Sequence, residues 1–378
     1  MKKILFFIES LAGGGAEKVL VDLVKNIDKN KFDITVATVV DIGVYTDEIK
    51  KHCNYFSFLS TPNKCGNFII SNLIYKIKYK LIYKLPIFFI YKYFIREKYD
   101  IEVGFIEGFA TKVISKSPNS FSRKISWVHV DPINRDYADE YYKNLESQIK
   151  SYKRYEKVIC VSNSVKEAFK KKFYESNDNI LVRYNPVDSA NIIAKSKEEC
   201  EIKRTNKMLI GSIGRLTNQK GYDRLLKVVK KLKNEGLDFE LWILGEGTDR
   251  SSLEKYIREN QLENTVKLLG FQKNPYKFIK QCDLFVCSSR AEGFSLAIAE
   301  SMVLGLPIIS TDCAGPNELL DFGNYGMVVE NNEDSLYLGL KQLMINKPLL
   351  LQYVNKSLQR KEIFNIETAI QEIEKLLI

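Results

Sequence analysis

The chain repeats one pattern twice: short apolar runs, each long enough for a buried strand, alternate with segments whose apolar residues recur at helical spacing. That pattern confines the fold to parallel sheets covered by helices. In the first stretch the strand-like runs are residues 3–8, 32–40, 101–105, 124–130, 157–161 and 179–184, with a helix expected at 16–27. In the second they are 208–214, 239–244, 266–269, 283–287, 307–311 and 327–329, with helices at 222–234 and 250–260. Residues 189–206 between them are rich in Ser, Asn, Lys and Glu and read as a hinge. The expected architecture is therefore α/β, two Rossmann-like doubly wound domains at 1–188 and 207–360. The segment 361–378 ends in an amphipathic helix.

Several classes fall away on composition. The longest uninterrupted apolar run, 85–91, is far shorter than the roughly 20 residues needed to span a bilayer. The opening residues, followed at once by Glu9, read as a first strand rather than a signal peptide, so a cytoplasmic protein is expected. Seven cysteines without metal spacing, three of them (Cys160, Cys282 and Cys287) in strand-like runs, are not a disulfide framework. The net charge of +10 is uneven: residues 67–98 hold seven basic residues and one acid, interleaved with Tyr, Phe, Ile and Leu. Such a segment suits an anionic membrane surface; it equally suits helices that cover the first sheet with a lysine-rich outer face. Its long aliphatic faces make nucleic acid the poorer partner. Pro86 is expected to divide it into two helices.

The densest chemistry lies at Glu292-Gly-Phe-Ser-Leu-Ala-Ile-Ala-Glu300, just after the strand-like run 283–287. Ser295 stands where an N-cap is expected, an apolar helix follows from Leu296, and Gly305 with Pro307 stops it. The backbone N–H groups near Phe294, Ser295 and Leu296 then suit a diphosphate. Along a helix rising 1.5 Å per residue, the two glutamates lie on the order of 10 Å apart or more. That exceeds the roughly 5 to 9.5 Å of paired glycosidase carboxylates. A nucleotide sugar is long enough for Glu292 to meet the sugar and Glu300 the ribose.

With that block, the chain resembles the retaining glycosyltransferases of family 4, which have the GT-B architecture. The resemblance also rests on Gly13-Gly-Gly-Ala-Glu17, Trp127-Val-His129-Val-Asp131, Val161-Ser-Asn-Ser164, Tyr184-Asn-Pro-Val-Asp188, Gly214-Arg215 with Lys220-Gly221, and Gly245-Glu-Gly247. Each is weak alone; their order and spacing are specific. The resemblance implies that the last helix returns to the first domain. It implies that Arg215 and Lys220 neutralise the leaving diphosphate, and that Gly245, Gly270 and Phe271 line the nucleoside pocket. It also places His129 near the donor sugar, and the loop of Gly14 and Gly15 near the diphosphate and the acceptor.

The residues themselves leave alternatives open. The triple glycine is not a dinucleotide fingerprint, because Lys18 stands where the third glycine would be. Asp131 binds acceptor or caps a turn; Asn163 faces the cleft or caps the helix after it. Arg215 as a forked donor and Lys220 as a compact charge fit two phosphates. No Asp-x-Asp occurs in the chain, so fixed cations rather than a metal are expected to meet the diphosphate, with no cofactor beyond the donor. By that resemblance the catalytic set is Glu292, His129, Arg215 and Lys220. The reading is a retaining hexosyl or N-acetylhexosaminyl transferase with a nucleotide sugar donor, UDP-linked by family habit. Its acceptor is a glycan or lipid-linked glycan of capsule, lipopolysaccharide or other surface-glycan synthesis. Alternatives are an epimerase or phosphorylase of the same fold, or a non-catalytic peripheral membrane protein.

Overall fold

The computed structural model describes residues 1–61, 68–133, 137–173 and 179–378. It divides into two compact units, Met1–Pro186 with Glu367–Ile378, and Val187–Ile366.

The first unit runs β1 (Lys2–Ile8), α1 (Gly15–Asn26), β2 (Phe32–Val40), α2 (Thr46–His52), β3 (Asn54–Leu59), α3 (Phe68–Ile82), α4 (Ile87–Tyr93), β4 (Ile101–Gly104), α5 (Phe109–Ser115), β5 (Arg123–Val128), α6 (Leu145–Tyr152), β6 (Lys157–Cys160), α7 (Asn163–Phe173) and β7 (Ile180–Val182). Its seven strands are parallel in the order β3-β2-β1-β4-β5-β6-β7, with Ile4 of β1 opposite both Ile34 and Ile101. Strands covered on both faces read as continuous apolar runs, and residues 4–8 are at most 1% exposed. Pro86 sits at the N-cap of α4 and so separates α3 from α4.

The second unit continues with α8 (Ser189–Ser196), β8 (Met208–Ile213), α9 (Tyr222–Asn234), β9 (Phe239–Leu244), α10 (Arg250–Glu259), β10 (Val266–Gly270), α11 (Tyr276–Ile279), β11 (Leu284–Cys287), α12 (Leu296–Val303), β12 (Ile308–Thr311), α13 (Ala314–Leu319), β13 (Met327–Val329), α14 (Glu333–Ile345) and α15 (Lys347–Arg360). Its sheet is parallel in the order β10-β9-β8-β11-β12-β13. One core cluster gathers Leu225, Leu226 and Val229 of α9, Leu241 and Ile243 of β9, and Leu336 and Leu340 of α14.

Within the segment 189–206 expected as a hinge, residues 189–196 form α8 and fall in the second unit. The Asp188 side chain accepts from Asn191 N at 2.9 Å and caps the helix, Ile192 is buried, and Asn274 donates to the Lys195 carbonyl at 2.8 Å. A single buried apolar residue in a helix of eight is too little to stand out in so polar a stretch. The last helix, α16 (Ile366–Leu377), buries Ile370, Ile373 and Leu377. Within the first unit, the Glu374 carboxylate accepts from Asp28 N at 2.8 Å and from Lys31 Nζ at 3.1 Å.

Candidate active site

In the second sheet all strands point one way, so the loops after them leave at one edge, and strand order reverses between β8 and β11. The crevice at such a reversal is where open α/β sheets take ligands. Two loops flank it, 214–221 after β8 and 288–295 after β11, and they are stitched together. Ser288 Oγ donates to the Lys220 carbonyl at 2.8 Å, Arg290 N to the Gln219 carbonyl at 2.7 Å, and Gln219 Nε2 to the Ala291 carbonyl at 2.9 Å. Gly221 closes the first loop at φ +65°, where a Cβ would stand 2.2 Å from the Ser288 carbonyl oxygen, so only glycine fits.

The stitching brings together two of the residues singled out from the sequence. Lys220 Nζ lies 2.5 Å from Glu292 Oε1, which also accepts from Ser289 Oγ at 2.6 Å. Both side chains are largely shielded, at 20% and 9% exposure. Burial pushes the Lys220 pKa down, but the Glu292 carboxylate, the Cys287 thiol and the hydrogen bond to Glu292 outweigh it, leaving the pKa above the ordinary lysine value. The ammonium is therefore charged at neutral pH, with one of its three N–H donors on Glu292. Arg215 is exposed, and its positive charge acts to lower the Lys220 pKa.

The ends of β8, β9 and β10 are held equally close. Gly245 N donates to the Gly270 carbonyl at 2.8 Å, and a Cβ on Gly245 would stand 2.0 Å from the Gly214 carbonyl oxygen. Phe271 follows at the edge, 41% exposed.

The start of α12 departs from the sequence reading. Ser295 holds the N-cap position, but with φ 68° and ψ 79° and no capping hydrogen bond from its side chain. A capping hydroxyl reaches the first-turn amides from extended backbone, which this left-handed residue does not have. Phe294 beside it is buried, and Gly315 packs so tightly that a Cβ there would stand 2.5 Å from Gly293 and from the Phe294 nitrogen. Leu296 opens the helix. Glu300 on its second turn is 5% exposed and accepts from Tyr276 Oη of α11 at 3.0 Å. The two glutamates thus have separate partners, Lys220 for one and Tyr276 for the other.

In the first sheet the order reverses between β1 and β4. Gly13 takes φ +107°, Gly14 is the N-cap of α1 and Gly15 its first residue; a Cβ on Gly14 would stand 2.3 Å from Glu17 Oε2. His129, after β5, has Nε2 2.9 Å from the Phe105 carbonyl oxygen, which can only accept, so Nε2 carries the proton and Nδ1 presents a lone pair. Burial lowers its pKa to about 4 against a small opposing effect of that hydrogen bond, so the ring is neutral. Asp131 is buried and accepts from Ile133 N at 2.8 Å, capping a turn. Asn163 opens α7 and donates to Tyr184 Oη at 3.1 Å; the cap of that helix is Ser162, whose Oγ accepts from Val165 N at 3.2 Å.

Sequence reasoning missed two carboxylates here. Glu107 is buried and accepts from His129 N at 2.6 Å and Val130 N at 2.9 Å, which fixes the backbone that carries the histidine. Glu9 accepts from Tyr83 Oη at 2.8 Å and Tyr141 Oη at 3.3 Å, and its pKa is raised by burial against these hydrogen bonds. An acid directly after the first strand was the available signal for Glu9; nothing local marks its tyrosines. Beside it, a groove of about 520 Å³ runs between Ala12 and α3, lined by Leu73, Ile77 and Tyr79 with Lys76 and Lys80. Among the described residues, no group of three or more His, Cys, Asp or Glu could hold a metal ion.

The chain resembles known proteins along its whole length. Residues 195–360 match the family described as glycosyl transferases group 1. The chain is 30% identical over 371 residues to the N-acetylgalactosamine-N,N'-diacetylbacillosaminyl-diphospho-undecaprenol 4-alpha-N-acetylgalactosaminyltransferase of Campylobacter jejuni, covering 97% of this chain and 96% of that one. It is 24% identical over 224 residues to the amylovoran biosynthesis glycosyltransferase AmsD of Erwinia amylovora, covering 59% and 62%. Among solved structures, Anabaena HepE in complex with UDP-glucose superposes with a TM-score of 0.74 at 20% identity, over 100% of this chain and 99% of that one. TarM of S. aureus does so with 0.72 at 16%, over 100% and 99%.

Proposed function

The chain belongs to the glycosyl transferases group 1 family, has the GT-B fold and is a glycosyltransferase; from that premise we propose that it is a retaining enzyme transferring a hexose or N-acetylhexosamine. The donor is a nucleotide diphosphate sugar, UDP-linked by preference, and the acceptor is a hydroxyl of a lipid-linked glycan in surface-glycan synthesis. The observation that carries this reading is the Lys220–Glu292 pair at the switch point of the second sheet, with Arg215 beside it. The C. jejuni relative, named for a diphospho-undecaprenol acceptor, and the UDP-glucose complex of HepE support the choice of partners.

The roles follow from charge and placement. Arg215, the two remaining N–H donors of Lys220 and the start of α12 at Phe294, Ser295 and Leu296 take the diphosphate as its bond to the anomeric carbon breaks. Glu292 accepts hydrogen bonds from sugar hydroxyls and Glu300 from the ribose. Gly245, Gly270 and Phe271 border the nucleoside. Neutral His129 accepts a sugar hydroxyl at Nδ1. Gly14 and Gly15 let backbone approach the diphosphate, and Asp131 and Asn163 stand on the acceptor side. The departing phosphate oxygen takes the acceptor proton, which leaves no need for a protein nucleophile.

No described helix is long and apolar enough to cross a membrane. The reading places the protein in the cytoplasm with α3 and α4 against the inner leaflet. Leu73, Ile74, Ile77, Leu81 and Phe88 are each at least 47% exposed there, interleaved with lysines. A melting-temperature screen against UDP, GDP, ADP, CMP and UDP-sugars tests the donor site, because a ligand bound only by the native state raises the midpoint. A selective diphosphate-dependent rise, lost in Arg215→Ala, is expected; no rise with any nucleotide would remove the donor-site assignment.

A further inference from the structure

Glu292 is carried on a loop, and its separation from Lys220 is only as definite as that loop. What fixes the loop is a side chain from the first turn of α9. Arg224 is 4% exposed, with Nε 2.9 Å and Nη2 2.6 Å from the Ser288 carbonyl oxygen and Nη2 2.7 Å from that of Ser289. Nη1 reaches the Asn331 carbonyl at 3.2 Å, after β13, and Nη2 lies 3.4 Å from Thr311 Oγ1, which itself donates to the Ser289 carbonyl at 2.6 Å. One guanidinium therefore ties together the ends of β11, β12 and β13. Gly221 makes the approach feasible, since a Cβ there would stand 2.7 Å from Arg224 Nε.

Its surroundings are unusual for a buried cation. Such charges are ordinarily matched by a carboxylate. Every hydrogen-bond acceptor recorded for Arg224 is a carbonyl or a hydroxyl, and the adjacent Asp223 is engaged instead by Arg290, at 2.7 Å and 2.8 Å. The positive charge is spread over backbone dipoles directly behind the loop that presents Glu292 to Lys220.

We propose that Arg224 is a positioning residue for the anionic half of the donor: it holds loop 288–292 so that Lys220 and Glu292 keep their geometry, and it leaves a positive charge unmatched until a nucleotide diphosphate binds. This rests on the donor-site reading above. The phosphates, and not the nucleoside, are what Arg224 serves.

The test uses the full chain with Arg224→Met and Arg224→Lys, titrated with UDP by calorimetry and with uridine by ligand-observed NMR. Losing a charge-assisted contribution of this kind should weaken UDP about ten-fold in Arg224→Met, with uridine affinity held within about two-fold. Arg224→Lys keeps the charge but loses the fork, and should fall between. Equal losses for UDP and uridine would mean a merely structural residue, and unchanged UDP affinity would mean none; either overturns the proposal. If Arg224→Met does not fold, the same ratio in Arg224→Lys decides. Wild-type protein that binds UDP, and loses it in Arg215→Ala, upholds the donor reading whichever way Arg224 falls. Wild-type protein that binds no nucleotide diphosphate removes both.

Discussion

Acidification should weaken the first unit through His129, and the amount can be worked out. Burial holds the folded pKa at about 4 against the ordinary 6.5. Above 6.5 neither state carries the proton and the native contribution is complete. As pH falls from 6.5 towards 4 the unfolded chain binds a proton that the native ring refuses, so stability is lost across that window and no further below it. At about 1.36 kcal/mol per unit the whole window is worth about 3 kcal/mol, of which about 2 kcal/mol falls above about pH 5. The chain has two tryptophans, Trp127 in the first unit and Trp242 in the second. In a Trp242→Phe background, Trp127, which packs 5.0 Å from Phe105, reports unfolding of the histidine's own neighbourhood. Urea unfolding of this protein and of His129→Gln should be compared at about pH 7.5 and about pH 5. Glutamine can still donate to the Phe105 carbonyl but does not titrate. The raised pKa values of Glu9 and Glu102 act in the opposite direction and cancel in the comparison. The advantage of the wild type over the variant should shrink by about 2 kcal/mol between those conditions. If the two proteins lose stability in parallel, the ring is not held neutral by burial and its assignment as a hydroxyl acceptor at Nδ1 fails.

Four other outcomes are expected. Lys220→Met should lower transfer by roughly a hundred-fold or more, as loss of a donor to developing charge does, and should also lower the melting temperature by leaving Glu292 buried and unpaired; wild-type turnover in steady-state assays would contradict its role. Transfer should survive exhaustive chelation, and activity abolished by EDTA but restored by magnesium or manganese would show that a metal, not Arg215 and Lys220, meets the diphosphate. Gly315→Ala should destabilise the second unit by about 2 kcal/mol or more, because its Cβ overlaps the 293–294 backbone, and should blunt the UDP-induced melting shift. The protein should float with anionic vesicles and less so after Lys76, Lys78 and Lys80 are changed to Glu, each lysine being worth about 1 kcal/mol near such a surface; equal flotation of the triple variant would remove α3 as the contact.

What could be read from the sequence was whatever is local. Every strand but β3 was marked by a largely apolar run, and the loops bearing Lys220 and Glu292 stand beside glycines and directly after strands; β3, interrupted by Asn54 and Ser57 and only partly buried at the sheet edge, was missed. Pro86 marked the break between α3 and α4. What escaped depends on topology or on one side chain's direction. Arg224 lies in a helix that also carries Lys227, Lys230, Lys231 and Lys233; nothing in that run says which cation turns inward. Glu9 meets tyrosines 74 and 132 residues away, a convergence that exists only once β1 lies between β2 and β4. Ser295 had the right residue type for a cap, but the close packing of Gly315 on 293–294 accompanies a left-handed backbone instead.

The division of the first unit into two pieces of chain bears on how the protein is made. Its sheet is encoded by residue 186, yet the helix whose Glu374 satisfies Asp28 N, and whose Leu376 carbonyl accepts from Arg123 Nη2 at 3.2 Å, lies beyond the whole of the second unit. During synthesis the early sheet must wait, its α16-facing surface uncovered, while about 180 further residues emerge and fold as an insertion. A fragment ending at 186 should therefore be a poor vehicle for studying the first unit unless residues 367–378 are supplied in trans or joined back by a short loop.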